Sequence, residues 1–290
     1  MYSLENKKLS LKVKPTGAEL CSIINKENGL EHIWQGDPTI WKGHAPVLFP
    51  IVGNLKDDEF IFEGNAYSMP RHGIFRHSNA IELIEQTTDR LTFSFKYSEE
   101  TLKQYPFKFE FQLSYILTEN TVEVKHEVIN LDSKPIYFSV GAHPAFNLPL
   151  FEGEEYQDYY LEFDKKLDLK TYLLSPEGLV SEETEEIISD SETIQLHKDL
   201  FLKDALIFKD ISSKNVVLMS KKHGPVLEVN YPDFKNLGLW SKPGADYVCI
   251  EPWLGIADGV NTKKDLKTKE DINKLMPSET FNASYSIAIK

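Results

Sequence analysis

The sequence predicts an all-β protein made of two large, packed antiparallel sheets. Three observations carry that expectation: apolar residues recur at every second position along much of the chain, the stretch from Phe107 to Ser139 reads as one long hairpin, and helical signals are sparse. Alternation with a period of two puts one set of side chains on a single strand face. Many such strands in 290 residues need a second sheet to bury that face.

In chain order, Leu9-Ser10-Leu11-Lys12-Val13-Lys14 alternates until Pro15 and Gly17 end the run. Phe60-Ile61-Phe62 enters a turn at Glu63-Gly64-Asn65 and leaves through Tyr67, and Leu91 to Tyr97 alternates aromatic with polar residues. Phe109, Phe111, Leu113 and Tyr115 share a face, Thr118-Glu119-Asn120 turns the chain, and Val122, Val124, His126 and Val128 resume the pattern. A strand over Ile136–Val140 runs into Gly141-Ala142-His143-Pro144, placing His143 just past its end. Further strands are expected at 205–208, 215–219, 225–229 and 247–250, so that Glu251 also follows a strand. Ser98–Tyr105 reads as a short helix before Pro106, Thr268–Leu275 as another turn or two, and the acidic segment Ser181–Glu192 as a solvated connector. With no repeat and no low-complexity linker, residues 1–290 are expected to form one continuous domain.

Composition narrows the function classes. Lys and Arg total 32 against 45 Asp and Glu, and a formal charge of −13 repels a phosphate backbone or an anionic lipid surface. Nucleic acid and membrane are therefore poor partners. The segment Met1–Lys8 lacks the basic start and apolar stretch of a secretory signal, and no later run is apolar long enough to span a bilayer. Cys21 and Cys249 are far apart, with no Cys-x-x-Cys spacing, which argues against a disulfide framework or a thiolate metal site and favours a reducing cytoplasmic compartment. Nucleotide, serine-hydrolase and zinc-hydrolase motifs are all absent.

Three polar segments stand out against the β pattern: Arg71-His72-Gly73-Ile74-Phe75-Arg76, Gly141-Ala142-His143-Pro144-Ala145-Phe146-Asn147 and Glu251-Pro252-Trp253-Leu254-Gly255-Ile256-Ala257-Asp258. Each joins a titratable side chain to Gly or Pro punctuation and neighbouring aromatics. His72 sits where backbone geometry is tightly controlled, and its alternative role is a loop histidine with a structural hydrogen bond. His143 lies among Ala142, Pro144 and Phe146, where desolvation keeps an imidazole neutral or near its titration point; its alternative is a buried ring bonded to a carbonyl. Glu251, between Ile250 and Pro252-Trp253, is a carboxylate in an apolar place, where burial raises basicity; its alternative is a paired structural carboxylate. Trp253, Trp240, Phe75 and Phe146 are candidates either for stacking on a pyranose or for the core. Asp204 is a candidate acceptor for sugar hydroxyls, Asp258 reads as a turn former, and His44 and His77 as surface or supporting groups.

Together these segments resemble the aldose 1-epimerase, or galactose mutarotase-like, family, and more closely its LacX-type branch. His72-Gly73-Ile74-Phe75-Arg76, Gly141-Ala142-His143-Pro144-Ala145-Phe146 and Glu251-Pro252-Trp253 match the family's segments in order, supported by Pro46–Gly53 and Asp204–Asp210. The resemblance implies a galactose mutarotase-like β-supersandwich and cofactor-independent interconversion of the α and β anomers of an aldose. Under it, Glu251 removes the proton of the anomeric hydroxyl, His143 protonates the ring oxygen, His72 assists there, and Asp204 binds hydroxyls. No metal or organic cofactor is implied. The branch usually carries an arginine where this chain has Asn54, so a hydroxyl- or phosphate-binding cation is either absent or supplied by Arg71, Arg76 or Lys42. Galactose, glucose and a hexose phosphate all stay open as substrates, and monomer and homodimer as assemblies. Two competing readings are a non-catalytic sugar-binding or regulatory module and a glycoside hydrolase pairing Glu251 with Asp258 or Asp204. The hydrolase needs two carboxyl groups about 5 to 9 Å apart across the scissile bond.

Overall fold

Why the alternating segments bury one face becomes visible in the computed structural model, which describes residues 1–290. Nine strands form one antiparallel sheet in the order Val180–Gln195, Tyr159–Leu174, Asn215–Ser220, Gly224–Asn230, Thr280–Ile289, Thr121–Asn130, Phe109–Thr118, Arg90–Lys96 and Glu82–Gln86. The expected hairpin is its centre: Thr118 pairs with Thr121 at the turn, and Phe109 with Asn130 at the far end. Its inward rings, among them Phe109, Phe111 and Tyr115, enter a core of 66 buried residues extending from Leu4 to Ile289. At about 25 cal/mol per Å² of apolar surface, that burial is what overcomes the chain entropy of ordering so many strands.

A second sheet runs in the order Leu206–Phe208, Asn236–Trp240, Tyr247–Leu254, Val140–Ala142 and Val47–Leu48, with Ala145–Asn147 also pairing to Tyr247–Leu254. Its central strand is buried on both faces: Val248 and Ile250 join the main core, while Tyr247, Cys249, Glu251 and Trp253 share the opposite face. No helix is long and apolar enough to cross a membrane.

Three expectations need correction. Glu251 lies within a strand, not after one, because the pairing with Asn236–Trp240 continues through Leu237–Pro252 and Asn236–Trp253. Ser181–Glu192 belongs to the strand Val180–Gln195 at the edge of the nine-stranded sheet. Both of its faces are largely exposed, which erases the apolar alternation, and its row of acidic side chains discourages pairing with another chain. Thr268–Leu275 is not helical: a single 3-10 turn at Leu266–Thr268 is followed by a strand, Asn273–Leu275, paired with Ile136–Phe138. The helix expected before Pro106 is present as Glu99–Gln104, capped by Ser98, whose hydroxyl accepts from the Thr101 amide.

His126 is fully buried among the rings of Phe111, Phe234 and Tyr285, and neither ring nitrogen has a partner. Burial pushes its pKa down to about 4. Unfolding restores a value near 6.5, so between those values the unfolded chain binds more protons and stability falls as the pH falls. Urea unfolding is expected to show His126 contributing a loss of about 1.4 kcal/mol per pH unit across that window. His126→Leu should flatten the dependence by that amount; parallel profiles for the two proteins would contradict the assignment.

Candidate active site

Strand register brings the first two functional groups together. Gly141 pairs with Trp253 and Ala145 with Cys249 in one continuous antiparallel register, so His143, between them, stands opposite Glu251. Directly opposed side chains on adjacent strands are close neighbours. Here His143 Nε2 lies 3.4 Å from Glu251 Oε1. On the other side of the strand, Glu251 faces Gly238, whose missing side chain leaves room for the Trp253 ring. A Cβ at Gly238 would come within 2.4 Å of that indole, and one at Gly141 within 2.7 Å.

His72 arrives from a different segment by a tight turn. His72 and Gly73 both have left-handed backbones, with φ of 65° and 77°, and a Cβ on Gly73 would lie 2.2 Å from the Phe49 carbonyl oxygen. The His72 amide donates to the Gly53 carbonyl, and the Gly53 amide donates to His72 Nδ1 at 3.1 Å. That reciprocal pair holds the ring and leaves Nε2 as the protonated nitrogen of the neutral form. Arg71 Nε is also placed to donate to Nε2, at 3.1 Å, a bond that only the other neutral tautomer accepts. The exposed arginine can yield this position to a ligand oxygen; the amide cannot move without the backbone.

These groups line a cavity of about 430 Å³ together with Trp41, Trp240, Trp253, Asn54, Arg71, Arg76 and Lys242. The volume lies in the range of small-molecule sites. His143 is packed face to face by Trp41 at 5.1 Å and edge-on by Trp240 at 5.6 Å. Burial drives its pKa well below the ordinary imidazole value, and the Arg76 and Arg71 charges push the same way. Burial likewise lowers His72, with His143 adding to it. For Glu251 burial works in the opposite sense, raising its pKa well above the ordinary carboxyl value, while Arg71 pulls it back. In that pair both directions favour the uncharged forms, a carboxyl group beside a neutral imidazole. Glu251 Oε2 and His143 Nδ1 are buried without partners, as is Arg76 Nε.

Most of the residues singled out in the sequence do converge: His72, His143, Glu251, Arg71, Arg76, Asn54, Trp240 and Trp253 all line the cavity. Phe75 does not. It is fully buried in the main core against Phe95 and Phe111, because the turn that aims His72 outward sends Phe75 under the sheet. Asp204 is not on the cavity wall. Its carboxylate bonds the neighbouring Ala205 amide at 2.8 Å beside an adjacent depression, although its charge raises Glu251 further. Asp258 is a buried ion-pair partner of Lys269, at 2.8 Å. Glu251 is thus the single carboxylate among the lining residues. His44 is a buried support, with Nδ1 2.8 Å from the Trp34 carbonyl. Asn54 donates to the Glu177 carbonyl at 2.7 Å, tying two loops of the wall together.

Sequence reasoning missed Trp41 and Lys242 and chose Lys42 instead. Trp41 is inward and Lys42 exposed. The available signal was an aromatic beside Gly43 in an otherwise polar segment, the same punctuation that marked the other three. Lys242 had no comparable signal.

The His143–Glu251 pair, His72 and three tryptophans thus share one cavity in a fold of two packed antiparallel sheets. The aldose 1-epimerase family matches residues 1–272, and the chain belongs to that family. It is 35% identical to the plasmid and chromosomal LacX proteins of Lactococcus lactis subsp. lactis, over 99% of this chain and 98% of each relative. Among solved structures it is similar to a galactose mutarotase related enzyme from Lactobacillus acidophilus, with 36% identity and a TM-score of 0.93 over 100% of this chain and 97% of the other. A galactose mutarotase-like protein from Lactobacillus casei also superposes with a TM-score of 0.93, at 28% identity over the whole of both chains. The expected mutarotase-like fold is therefore the observed one.

Proposed function

We propose that this protein interconverts the α and β anomers of an aldose by acid–base opening and closure of the pyranose ring, using the His143–Glu251 pair with His72. The observation that carries the reading is that opposed pair, 3.4 Å apart at the base of a cavity lined by three tryptophans. The indoles offer apolar faces to the ring, and the polar groups reach its oxygens.

The resting pair is a carboxylic acid beside a neutral imidazole. Transfer of its single proton across the 3.4 Å contact gives a carboxylate and an imidazolium. Glu251 then accepts the proton of the anomeric hydroxyl while His143 protonates the ring oxygen, and the C1–ring oxygen bond breaks to leave the open aldehyde. His72 Nε2–H donates to an oxygen at the same centre and stays neutral throughout. Rotation about C1–C2 exposes the other carbonyl face. The ring hydroxyl closes on it as Glu251 protonates the carbonyl oxygen and His143 takes the hydroxyl proton, and transfer of that proton from His143 back to Glu251 restores the resting pair.

Arg71, Arg76 and Lys242 outnumber Glu251 on the cavity wall, and this local potential favours a sugar carrying an anionic substituent despite the acidic surface of the chain. A hexose phosphate therefore belongs beside galactose and glucose in the substrate panel. Two free cysteines support a cytoplasmic location.

Polarimetry on freshly dissolved α-anomers tests the reading, with acceleration above the spontaneous rate as the expected result. Sugar binding without acceleration would instead indicate a binding module. The rate is expected to hold a broad plateau around neutral pH. It should fall on the acid side, where the pair takes up a second proton that burial and the arginines resist, and on the alkaline side, where it loses its only one. A single sigmoid following an ordinary carboxyl group would contradict a shared proton.

A further inference from the structure

We propose that His143, Cys249 and Glu251 form a binding site for a thiophilic divalent cation of the zinc type, and that occupation of this site inhibits the enzyme. The inhibition clause rests on the acid–base reading above; the binding clause does not. One imidazole nitrogen, one thiol sulfur and one carboxylate oxygen lie within 4.8 Å of one another, all on buried residues. The sheet makes this arrangement: Cys249 and Glu251 are alternate residues on one face of Tyr247–Leu254, and His143 stands across the ladder from Glu251. The sequence concealed the site because its ligands are contributed by separate strands rather than by a short Cys/His spacing.

The donor set suits zinc. Nitrogen, sulfur and oxygen ligands bind this ion at roughly 2.0 to 2.3 Å in tetrahedral geometry, which sets ligand-to-ligand separations of roughly 3.3 to 3.7 Å. The His143–Glu251 contact of 3.4 Å already meets that spacing, and from the 4.8 Å bound the Cys249 sulfur closes by at most roughly 1 to 1.5 Å. Mixed sulfur and nitrogen ligation selects zinc over magnesium or calcium. Two further atoms, Glu251 Oε2 and His143 Nδ1, are buried with no hydrogen-bond partner, so the pair has unused polar capacity. His143 and Glu251 both face the cavity, leaving the fourth coordination position to water or a sugar hydroxyl. On binding, the thiol and carboxyl protons leave to solvent, so the cation meets two anionic ligands and a neutral imidazole. Arg71 and Arg76 oppose it from the cavity side. Their repulsion weakens the site for every divalent cation alike, so the preference for zinc rests on the donor atoms.

Cobalt(II) and zinc(II) added to the purified protein provide the test. Cobalt is expected to bind once per chain with a thiolate-to-metal charge-transfer band, and zinc to displace it. Cys249→Ala should abolish the band, weaken zinc binding in calorimetry by at least about ten-fold, and leave mutarotation intact but insensitive to zinc. Cys249→Ser serves the same purpose if the alanine variant does not fold. A cobalt spectrum without thiolate character, or zinc affinity equal in wild type and both variants, would overturn the site. Thiolate-bearing cobalt binding without effect on the rate would overturn the inhibition alone. If the protein accelerates no sugar, the spectra and calorimetry still decide the binding claim.

Discussion

Glu251→Gln is expected to slow mutarotation by about 10²- to 10⁴-fold, the contribution that positioned proton transfer makes. The substitution keeps shape and volume but removes the atom that accepts and returns the proton. It also breaks the shared-proton arrangement, since the amide cannot exchange a proton with His143 across their contact. Burial raises Glu251 well above an ordinary carboxyl group, which favours the neutral acid there, and an amide is a comparably neutral occupant. Folding stability near neutral pH should therefore change little, and thermal unfolding of the variant is the control. Loss of rate with unchanged melting and unchanged sugar affinity assigns Glu251 to the chemistry. Retained rate would remove it from the mechanism.

Lys269→Met is expected to produce a large loss of stability. Lys269 and Asp258 are each about 3% exposed and lie 2.8 Å apart, so removing the lysine leaves a buried carboxylate with its main partner gone. Breaking such a pair costs about 3 to 5 kcal/mol, or a melting temperature lower by roughly 5 to 8 °C for a chain of this size. Replacing both partners, as in Asp258→Leu with Lys269→Met, should recover much of that loss, because the desolvation cost of the charges goes with them. A single variant as stable as wild type would contradict the account. The pair also bears on the site: Asp258 accepts from the Lys56 amide at 3.1 Å, and its own amide donates to the Asn54 carbonyl at 2.8 Å. These bonds hold the loop whose Gly53 amide orients His72, so the single variant should also lose kcat at temperatures where it is still folded.

The hairpin Phe109–Asn130 shows how much of the fold was legible in the chain. Its apolar residues recur with the pleat, and local alternation is enough to identify a strand with one face in water or against another sheet. Tyr247–Leu254 was read too short and Val180–Gln195 not at all, for opposite reasons: the first is buried on both faces and the second on almost neither, so neither alternates. For the site, His72, His143 and Glu251 were recognisable from turn residues and apolar neighbours, and their order along the chain carried the family resemblance. Phe75 and Asp204 were misplaced because a sequence does not say which way a side chain leaves a turn.

What the sequence determined by itself was the class of fold, the residue types available for chemistry and the absence of nucleotide and hydrolase motifs, all of which depend on local periodicity and spacing. Only the tertiary structure decided that His143 stands opposite Glu251, that Trp41 covers the imidazole, that Asp258 is tied to Lys269, and that Cys249 lies beside the His143–Glu251 pair. The physical reason is register: in an antiparallel sheet the partners of a residue are set by hydrogen-bonded pairing between distant segments, and that pairing is chosen by burial of the whole core rather than by any short stretch of chain.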